Sequence, residues 1–423
     1  MGRRDVDGGV SLARLAPSGF SIRQAGRVWS LEDIEHEASR LRPLVRSAAG
    51  ENELVEIPAR DPVTVLSFLE ASWREKRVPT PRARIDAPAR VSVPMRWDPP
   101  LEAALVIRTS GSTGEPKHVA FSAESVIRSA TKIARYLELA RNDRIGIVQS
   151  LEHGYGLVGQ LFSAIAAGSE IVWASAPFVG EQVKMLEGVT VLSAVAYTLG
   201  ELVRGGLRAD LRCIGSAGGP LGAAVAARVR EAFPNATLWN QYGCTEAGPR
   251  LTACSSKEEA FAHGSAGRAL EGAELRVDDE GQVLFRADTQ MIGYAGRAPV
   301  GPDEWIPTGD IGRLEDGHLF ITGRNDEVVK IRGHKVPLAL VARTAERCGA
   351  RAAIAVALPS KKSEELEVIV VYEGDSDVSR IHVAKELPLE CAPARLVRVD
   401  ALPRLPSGKL DRKAAATLAG ERT

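Results

Sequence analysis

Apolar residues near the start of the chain recur at the spacing of a helix. Ser30 precedes this stripe, and Asp33 stands three residues later, where a carboxylate can return a hydrogen bond to the helix cap. The stripe consists of Leu31, Ile34, Ala38 and Leu41. The pattern therefore predicts a helix that begins at Ser30. A short strand over 54–57 and a helix over 61–74 should follow it as a strand–helix unit.

Beyond residue 100 the pattern changes to short apolar strands separated by helical segments. The predicted strands cover 103–107, 144–148, 170–173, 189–194 and 211–214. Strands that alternate with helices favour a mainly parallel sheet with helices on its faces. The stretch before them, 82–100, is rich in Pro, Arg and Ala without a clear period. We expect it to be a connection, and we expect Pro79 and Pro81 to act as breakers after the second helix.

The last third of the chain shows two further patterns of predicted secondary structure. Residues 273–321 combine short strands with turn sequences, which predicts a small β-rich subdomain. After Asp326, predicted strands and helices alternate again over about one hundred residues. We therefore expect an α/β fold with a large N-terminal lobe, residues 1–325, and a small mobile α+β domain, residues 326–423.

The charge balance and the cysteines narrow the classes of function. Lys and Arg number 54, and so do Asp and Glu, so no net field favours nucleic acid or an anionic membrane. The five cysteines include no CxxC pair, which argues against a zinc site and a disulfide framework and fits the reducing cytoplasm. The longest uncharged run, Gly154–Ser169, is too short to span a bilayer and predicts a buried helix.

The strongest candidate for chemistry is TSGSTGEPK, residues 109–117, which follows the strand ending at Ile107. Hydroxyl residues and glycines in succession can direct N–H groups and hydroxyls at phosphate oxygens, and Lys117 adds a positive charge. It is not a Walker loop, because Pro116 precedes the lysine and His118 follows it. Taken alone, such a string is more often a surface turn.

Further motifs follow this loop in order along the chain. They are GGPL (218–221), YGCTE (242–246), TGD (308–310), GR (323–324) with Asp326, KIRG (330–333) and PSGKLDR (406–412). Together they resemble the adenylate-forming superfamily of acyl-CoA synthetases, peptide-synthetase adenylation domains and luciferases. The resemblance covers nearly all of 105–413. It implies ATP-dependent activation of a carboxylic acid as an acyl-adenylate, with release of pyrophosphate, followed by transfer to a thiol.

The resemblance also implies a role for individual residues. The residues that it implies in nucleotide binding are Thr109, Ser110, Gly111, Ser112, Thr113, Gly114, Lys117, Gly218, Gly219, Tyr242, Asp310 and Arg324. Glu246 would bind Mg²⁺, Thr245 would assist the phosphate, and Lys409 would contact the carboxylate and the α-phosphate. Asp326 would be the hinge of the small domain. A second orientation would bring residues 330–335, including Lys330 and Gly333, to the pantetheine tunnel.

The acyl pocket is expected around His153, where relatives carry a gating His or aromatic residue; a buried His satisfied by the backbone is an equal alternative. Relatives that activate amino acids place an Asp in this segment, whereas this chain has Glu152, His153, Gly154 and Tyr155. An aryl or unbranched fatty acid therefore fits better than an amino acid.

One departure from the family concerns the linker between Pro81 and Leu105, which is shorter than in relatives and trims the large lobe. This leaves open whether CoA or the phosphopantetheine of an acyl-carrier protein accepts the acyl group, and whether the protein is a monomer or a homodimer. A nucleotide-binding pseudoenzyme is the main alternative to an enzyme, and loss of Lys409 or Glu246 would have favoured it. Both residues are present.

Overall fold

The computed structural model describes residues 11–16, 19–90, 103–109, 117–331, 334–360, 366–405 and 410–421. The helices are α1 (Leu12–Leu15), α2 (Leu31–Ala48), α3 (Pro62–Arg74), α4 (Ala123–Tyr136), α5 (Gly154–Gly156), α6 (Ser163–Ala167), α7 (Val179–Met185), α8 (Ala196–Arg204), α9 (Ala223–Ala232), α10 (Glu259–Ala262), α11 (Leu338–Arg347), α12 (Arg380–Lys385) and α13 (Arg412–Glu421). Short 3₁₀ turns cover Thr245–Ala247, Asn325–Glu327 and Leu389–Cys391.

The strands are β1 (Ser21–Gln24), β2 (Arg27–Ser30), β3 (Leu54–Pro58), β4 (Val78–Arg82), β5 (Ala89–Arg90), β6 (Ala103–Arg108), β7 (His118–Ser122), β8 (Arg144–Ile147), β9 (Glu170–Trp173), β10 (Val191–Ala194), β11 (Cys213–Ser216), β12 (Thr237–Tyr242), β13 (Thr252–Ser255), β14 (Gly267–Ala269), β15 (Ala273–Val277), β16 (Gln282–Ala287), β17 (Gly293–Tyr294), β18 (Ile306–Glu315), β19 (His318–Arg324), β20 (Val328–Ile331), β21 (His334–Pro337), β22 (Ala352–Pro359), β23 (Leu366–Glu373) and β24 (Arg395–Val399).

The chain forms two compact units. The first comprises residues 1–275 and 285–306, and the second comprises 276–284 and 307–423. The second unit therefore includes strands that the sequence analysis assigned to the large lobe. A functional boundary at Asp326 stays a prediction.

A large sheet organises the first unit. Its strand order is β14-β13-β12-β11-β10-β8-β9-β1-β2. Pairing is parallel from β12 through to β1 and antiparallel only at the two ends. Two smaller sheets, β17-β7-β6 and β4-β3-β5, complete the unit. The predicted α/β fold with a mainly parallel sheet is confirmed.

The cap at Ser30 forms as predicted. The Ser30 hydroxyl accepts from the Asp33 N–H, and the Asp33 carboxylate accepts from the Ser30 N–H. In the next helix Asp61 is the N-cap and Pro62 is the first residue, a position where a missing N–H costs nothing. Both helices were placed correctly because local capping chemistry fixes their starts.

The two prolines after α3 lie in a strand that the sequence analysis missed. Pro79 and Pro81 belong to β4, which pairs in parallel with β3. Proline is tolerated there because β4 is the edge strand of its three-stranded sheet. The expected connection over 82–100 contains β5 in its described part, and residues 91–100 lie outside the described residues.

The uncharged run from Gly154 forms the predicted buried helix, but with an altered hydrogen-bond pattern. A π-helical segment, Leu157–Phe162, joins α5 to α6. Such segments are uncommon and frequently mark functional sites. Leu157, Leu161 and Phe162 are fully buried in the main core. No helix in the described ranges has both the length and the apolar character needed to cross a membrane.

The second unit has an α+β composition. Strands β18 and β19 form an antiparallel hairpin, and β20 pairs with β21. Strands β22, β23 and β24 form a sheet of their own, and its side chains pack against α11 and α13. This agrees with the α+β pattern predicted after Asp326.

Candidate active site

The predicted phosphate loop is the connection of a β-hairpin. Strands β6 and β7 are antiparallel, with Arg108 opposite His118, and the Thr109 N–H donates to the Lys117 carbonyl at 2.9 Å. Both ends of the loop therefore lie side by side. A strand follows the loop, where a Walker loop would lead into a helix. The predicted residues Ser110, Gly111, Ser112, Thr113 and Gly114 lie outside the described residues.

Thr245 and Glu246 lie on the 3₁₀ turn that follows β12. The chain is crowded here, because a β-carbon added at Gly243 would lie 2.2 Å from the Pro249 carbonyl oxygen. The Glu246 carbonyl accepts from the Met291 N–H at 2.8 Å, which ties the turn to the segment before β17. The turn thus presents the two side chains from a fixed backbone.

Tyr294 is the residue that connects Glu246 to the phosphate loop. Its hydroxyl donates to Glu246 Oε1 at 2.9 Å, and as part of β17 it pairs with Val119 of β7. Lys117 Nζ lies 5.3 Å from the centre of the Tyr294 ring, and Arg297 Cζ lies 5.5 Å from it. Burial raises the pKa of Tyr294 far above its usual range, and the Glu246 charge adds to this effect, so the phenol stays a donor.

Tyr294 was not among the predicted site residues. Its partner Glu246 is 48 residues away, and no local pattern in a single sequence marks that contact. What the sequence does show is a Gly-Tyr pair after an apolar run, which is also typical of a turn.

The glycines at 218 and 219 and Tyr242 lie at the carboxyl ends of two neighbouring parallel strands. Strands β11 and β12 pair with Ser216 opposite Asn240, so the segments that follow them are adjacent. Ligands in α/β proteins commonly bind at this edge of the sheet. Gly218 has φ +78°, a conformation that side chains rarely adopt, and both glycines are exposed.

His153 immediately precedes α5. A β-carbon added at the next residue, Gly154, would lie 3.3 Å from Pro249 Cβ and 3.6 Å from Ile107 Cδ1. Gly154 therefore lies close to the residue three positions after YGCTE and to the strand before the predicted phosphate loop. Glu152 accepts from Arg82 at 2.9 Å. This carboxylate is therefore already paired with a cation, which argues against a role in binding a substrate ammonium group.

In the second unit, Asp310 and Arg324 lie opposite each other in the β18–β19 hairpin. Arg324 Nη1 donates to Asp310 Oδ1 at 3.1 Å, and the Thr308 hydroxyl accepts from the Asp310 N–H at 3.0 Å. Asp310 is buried and Arg324 is exposed. The carboxylate is thus held in one orientation by a neighbour whose other donors can reach solvent.

The predicted hinge and the predicted catalytic lysine belong to the same unit. Asp326 is the middle residue of the 3₁₀ turn Asn325–Glu327, and Glu327 pairs with Arg412 at 2.8 Å. Lys330 lies in β20, whereas Gly333 and Lys409 lie outside the described residues.

The described residues on the two sides of 406–409 contact each other. Arg404 and Leu410 form an isolated antiparallel bridge, and the Asp411 N–H donates to the Pro403 carbonyl at 2.8 Å. Residues 403–404 and 410–411 are therefore close together, directly before α13.

Comparison with known proteins agrees with the motifs. A family model described as "AMP-binding enzyme" matches residues 36–294. 4-Coumarate–CoA ligase 5 of Oryza sativa subsp. japonica is 29% identical over 345 residues, which are 72% of this chain and 64% of that protein. 4-Coumarate–CoA ligase 3 of the same plant is 30% identical over 342 residues, 72% of this chain and 62% of that protein. The chain thus spans less than two thirds of the length of these relatives.

Two solved structures show the same fold. ATP-bound MatB from Rhodopseudomonas palustris superimposes with a TM-score of 0.81 at 17% identity, covering 97% of this chain and 98% of that one. The o-succinylbenzoate–CoA synthetase MenE of Bacillus subtilis, in complex with the acyl-adenylate OSB-AMP, has a TM-score of 0.77 at 20% identity, covering 94% and 95%.

Proposed function

Because the chain belongs to the AMP-binding enzyme family, we propose that it activates a carboxylic acid with ATP and then transfers the acyl group to a thiol. In the first step a carboxylate oxygen attacks the α-phosphorus, the bond to the bridging oxygen breaks, and pyrophosphate leaves. In the second step a thiolate attacks the acyl carbon and AMP leaves. Two anions meet in the first step, so the site must hold them in line and neutralise charge.

The observation that carries this proposal is the arrangement of Lys117, Tyr294 and Glu246. It places a cation at the end of the phosphate loop and a carboxylate on the same tyrosine. In the described part of the chain no Lys or Arg forms an ion pair with Glu246, which leaves its charge for a bound cation. An oriented carboxylate beside phosphates suits Mg²⁺, with Glu246 as ligand and Thr245 as a phosphate contact. When bound, Mg²⁺ would offset charge on the phosphates.

The remaining nucleotide contacts follow from the positions of the predicted residues. We assign the triphosphate to Lys117 and the loop 109–114, and the base to Gly218, Gly219 and Tyr242. Asp310 would accept hydrogen bonds from the ribose hydroxyls while Arg324 holds it in place.

For the second half-reaction we propose that the small domain, 326–423, turns about Asp326. Lys409 would contact the α-phosphate in one orientation. Lys330 and Gly333 would line the thiol tunnel in the other. The Glu327–Arg412 ion pair and the Arg404–Leu410 bridge would help the small domain to move as one rigid body.

The substrate is proposed to be an aryl or fatty acid, a class that includes the coumarate named in the ligases above. CoA and the phosphopantetheine of an acyl-carrier protein are both candidate acceptors. We propose that the protein works in the cytoplasm, because its five cysteines are free. The proposed oligomeric state is a monomer or a homodimer. Neither nucleic acid nor membrane is a proposed partner, given the equal numbers of positive and negative side chains.

The test is a panel of carboxylic acids screened for acid-dependent pyrophosphate release with Mg²⁺–ATP. The acids that respond are then tested with CoA and with a phosphopantetheinylated carrier for thioester formation. Glu246→Ala serves as the negative control, and we expect it to lose most of the activity. ATP binding without pyrophosphate release for any acid would instead identify a nucleotide-binding pseudoenzyme.

A further inference from the structure

Arg250 is a buried cation beside the segment assigned to the acyl pocket. The residue is 5% exposed, and no carboxylate within the described ranges forms an ion pair with it. Arg250 Nη1 donates a long hydrogen bond to the Pro249 carbonyl at 3.4 Å, and its buried Nε has no acceptor among the described residues. A buried charge is costly unless it is paired, so an anion that arrives from outside the chain would remove a large penalty.

The surroundings hold the guanidinium in a defined place. Arg250 Cζ lies 4.5 Å from the centre of the Tyr155 ring. A β-carbon added at Gly159 would lie 3.2 Å from Arg250 Nη2, so the glycine leaves room for the guanidinium beside the π-helical segment. A larger residue at 159 would push the cation away. The packing around Arg250 therefore holds its guanidinium in one defined position.

Further polar groups near Arg250 also lack partners. The hydroxyls of Tyr136 and Tyr155 and both amide atoms of Gln241 are buried and make no well-formed hydrogen bond to any described residue, although Tyr136 lies near both Arg250 and Gln241. Burial raises the pKa of Tyr136 to about 12, and Arg250 opposes that shift, which shows that the two groups are close. Unmet donors that surround a buried cation are the pattern expected of a binding site for a polar ligand.

This cluster adjoins the proposed active site. Arg250 follows Glu246 by four residues, and the intervening Pro249 packs on Gly154. Tyr155 and Gly159 belong to the helical segment that begins after His153, which is the segment assigned to the acyl pocket. A group bound at Arg250 would therefore belong to the acid itself and not to the nucleotide.

We propose that Arg250, with the Tyr155 hydroxyl and the Gln241 amide, binds a second carboxylate at the far end of the substrate. This inference rests on the proposed function, and it narrows the substrate class to dicarboxylic acids. One carboxylate is activated by ATP, and the other pairs with the guanidinium. Five N–H donors in a planar fork suit a carboxylate, which can accept two of them at once.

The first arm of the test compares acids in matched pairs that differ by one carboxylate, adipate with hexanoate and terephthalate with benzoate. For the wild-type protein, kcat/KM for pyrophosphate release should favour the better diacid over its partner by roughly 100-fold. Arg250→Met should remove this preference through a higher KM for the diacid, while activity with the monocarboxylic acid stays within a few fold. Arg250→Lys should recover part of the preference.

The second arm measures Tm without substrate. Replacement of an arginine that only stabilises the fold would lower Tm. An unpaired buried charge opposes folding, so Arg250→Met should keep or raise Tm. Arg230→Met, an exposed arginine on α9, is the matched control and should change neither Tm nor acid preference.

The outcomes separate the two proposals. If monocarboxylic acids react as well as diacids and Arg250→Met leaves the ratio unchanged, the diacid inference is wrong while the ligase proposal stands. A large fall in Tm for Arg250→Met and Arg250→Lys alike, with no change in preference, assigns Arg250 to folding and overturns the inference. If no acid of either kind releases pyrophosphate, the proposed function itself fails.

Discussion

The Tyr294 hydroxyl donates a 2.9 Å hydrogen bond to Glu246 Oε1, and this bond joins two segments that lie 48 residues apart. It leaves the other carboxylate oxygen of Glu246 for a ligand. Tyr294 also pairs with Val119 of β7, so it connects Glu246 to the strand that begins after the predicted phosphate loop. Under the proposed function Tyr294 would orient the Glu246 carboxylate towards Mg²⁺ without touching the reacting atoms.

We expect Tyr294→Phe to weaken the binding of Mg²⁺ at Glu246 under the proposed function. The ring stays beside Lys117 and Arg297, and only the hydrogen bond is lost. A hydrogen bond to a charged group contributes about 1.5–3 kcal/mol, so half-saturating Mg²⁺ should rise roughly tenfold or more. Titration of the rate with Mg²⁺ at fixed ATP measures this. Tyr197→Phe on α8 is the control, and equal curves for Tyr294→Phe and wild type would refute the role.

Arg324 is predicted to act on the ribose through Asp310. Arg324→Met should raise KM for ATP by roughly tenfold and leave KM for the acid unchanged, because the buried carboxylate loses the donor that fixes it. The penalty for 2′-deoxy-ATP relative to ATP should also shrink. Arg313→Met, on the same hairpin, is the matched control. An unchanged preference for ATP over 2′-deoxy-ATP in Arg324→Met would contradict the assignment.

Glu75 should stabilise the first unit in a pH-dependent way. Its side chain is 7% exposed and accepts from Arg42 at 2.5 Å and from Arg46 at 2.8 Å. The Arg46 hydrogen bond is the main cause that lowers the pKa of Glu75 to about 2. Since the folded pKa is below the unfolded one, the contribution is complete above the unfolded pKa and is lost as pH falls towards 2.

Glu75→Gln should therefore reduce the free energy of unfolding by about 1–2 kcal/mol at pH 7, and by less at pH 4. Urea unfolding at both pH values measures the difference. Glu37→Gln, at an exposed ion pair on α2, is the control and should have almost no effect. A deficit in Glu75→Gln that is larger at pH 4 than at pH 7 would contradict the sign of the shift.

The sequence could predict the structural features that are determined by neighbouring residues, and it could not predict those that depend on distant ones. The caps at Ser30 and Asp61 and the four parallel strands β8 to β11 follow from neighbouring residues, and they were placed within a few positions. The parallel strands β1 and β12 were not predicted, and the strand predicted over 103–107 lies in a small antiparallel sheet. The strand over Pro79 and Pro81 was missed because its edge position is a property of the whole sheet. Tyr294 and Arg250 were missed for the same reason. The Tyr294–Glu246 hydrogen bond, and the lack of an acceptor for Arg250 Nε among the described residues, are apparent only in the folded chain.

Lys409 should separate the two half-reactions. Lys409→Ala is expected to lower pyrophosphate release at least about 100-fold, since removing a preorganised charge at the reacting phosphate costs about 2.7–4 kcal/mol. Thioester formation from synthetic acyl-AMP should stay close to that of the wild type. Lys413→Ala, four residues further on in α13, is the control. Equal losses in both half-reactions would argue for damage to the fold or a shared role.

The central claim is that a substrate carboxylate attacks the α-phosphorus of ATP, and oxygen labelling tests it most directly. The acid is supplied with both carboxylate oxygens as ¹⁸O, together with Mg²⁺–ATP and the thiol acceptor, and the products are read by mass spectrometry. One ¹⁸O atom should appear in AMP, one should remain in the thioester carbonyl, and pyrophosphate should carry none. Label in inorganic phosphate with formation of ADP, or unlabelled AMP, would contradict the account.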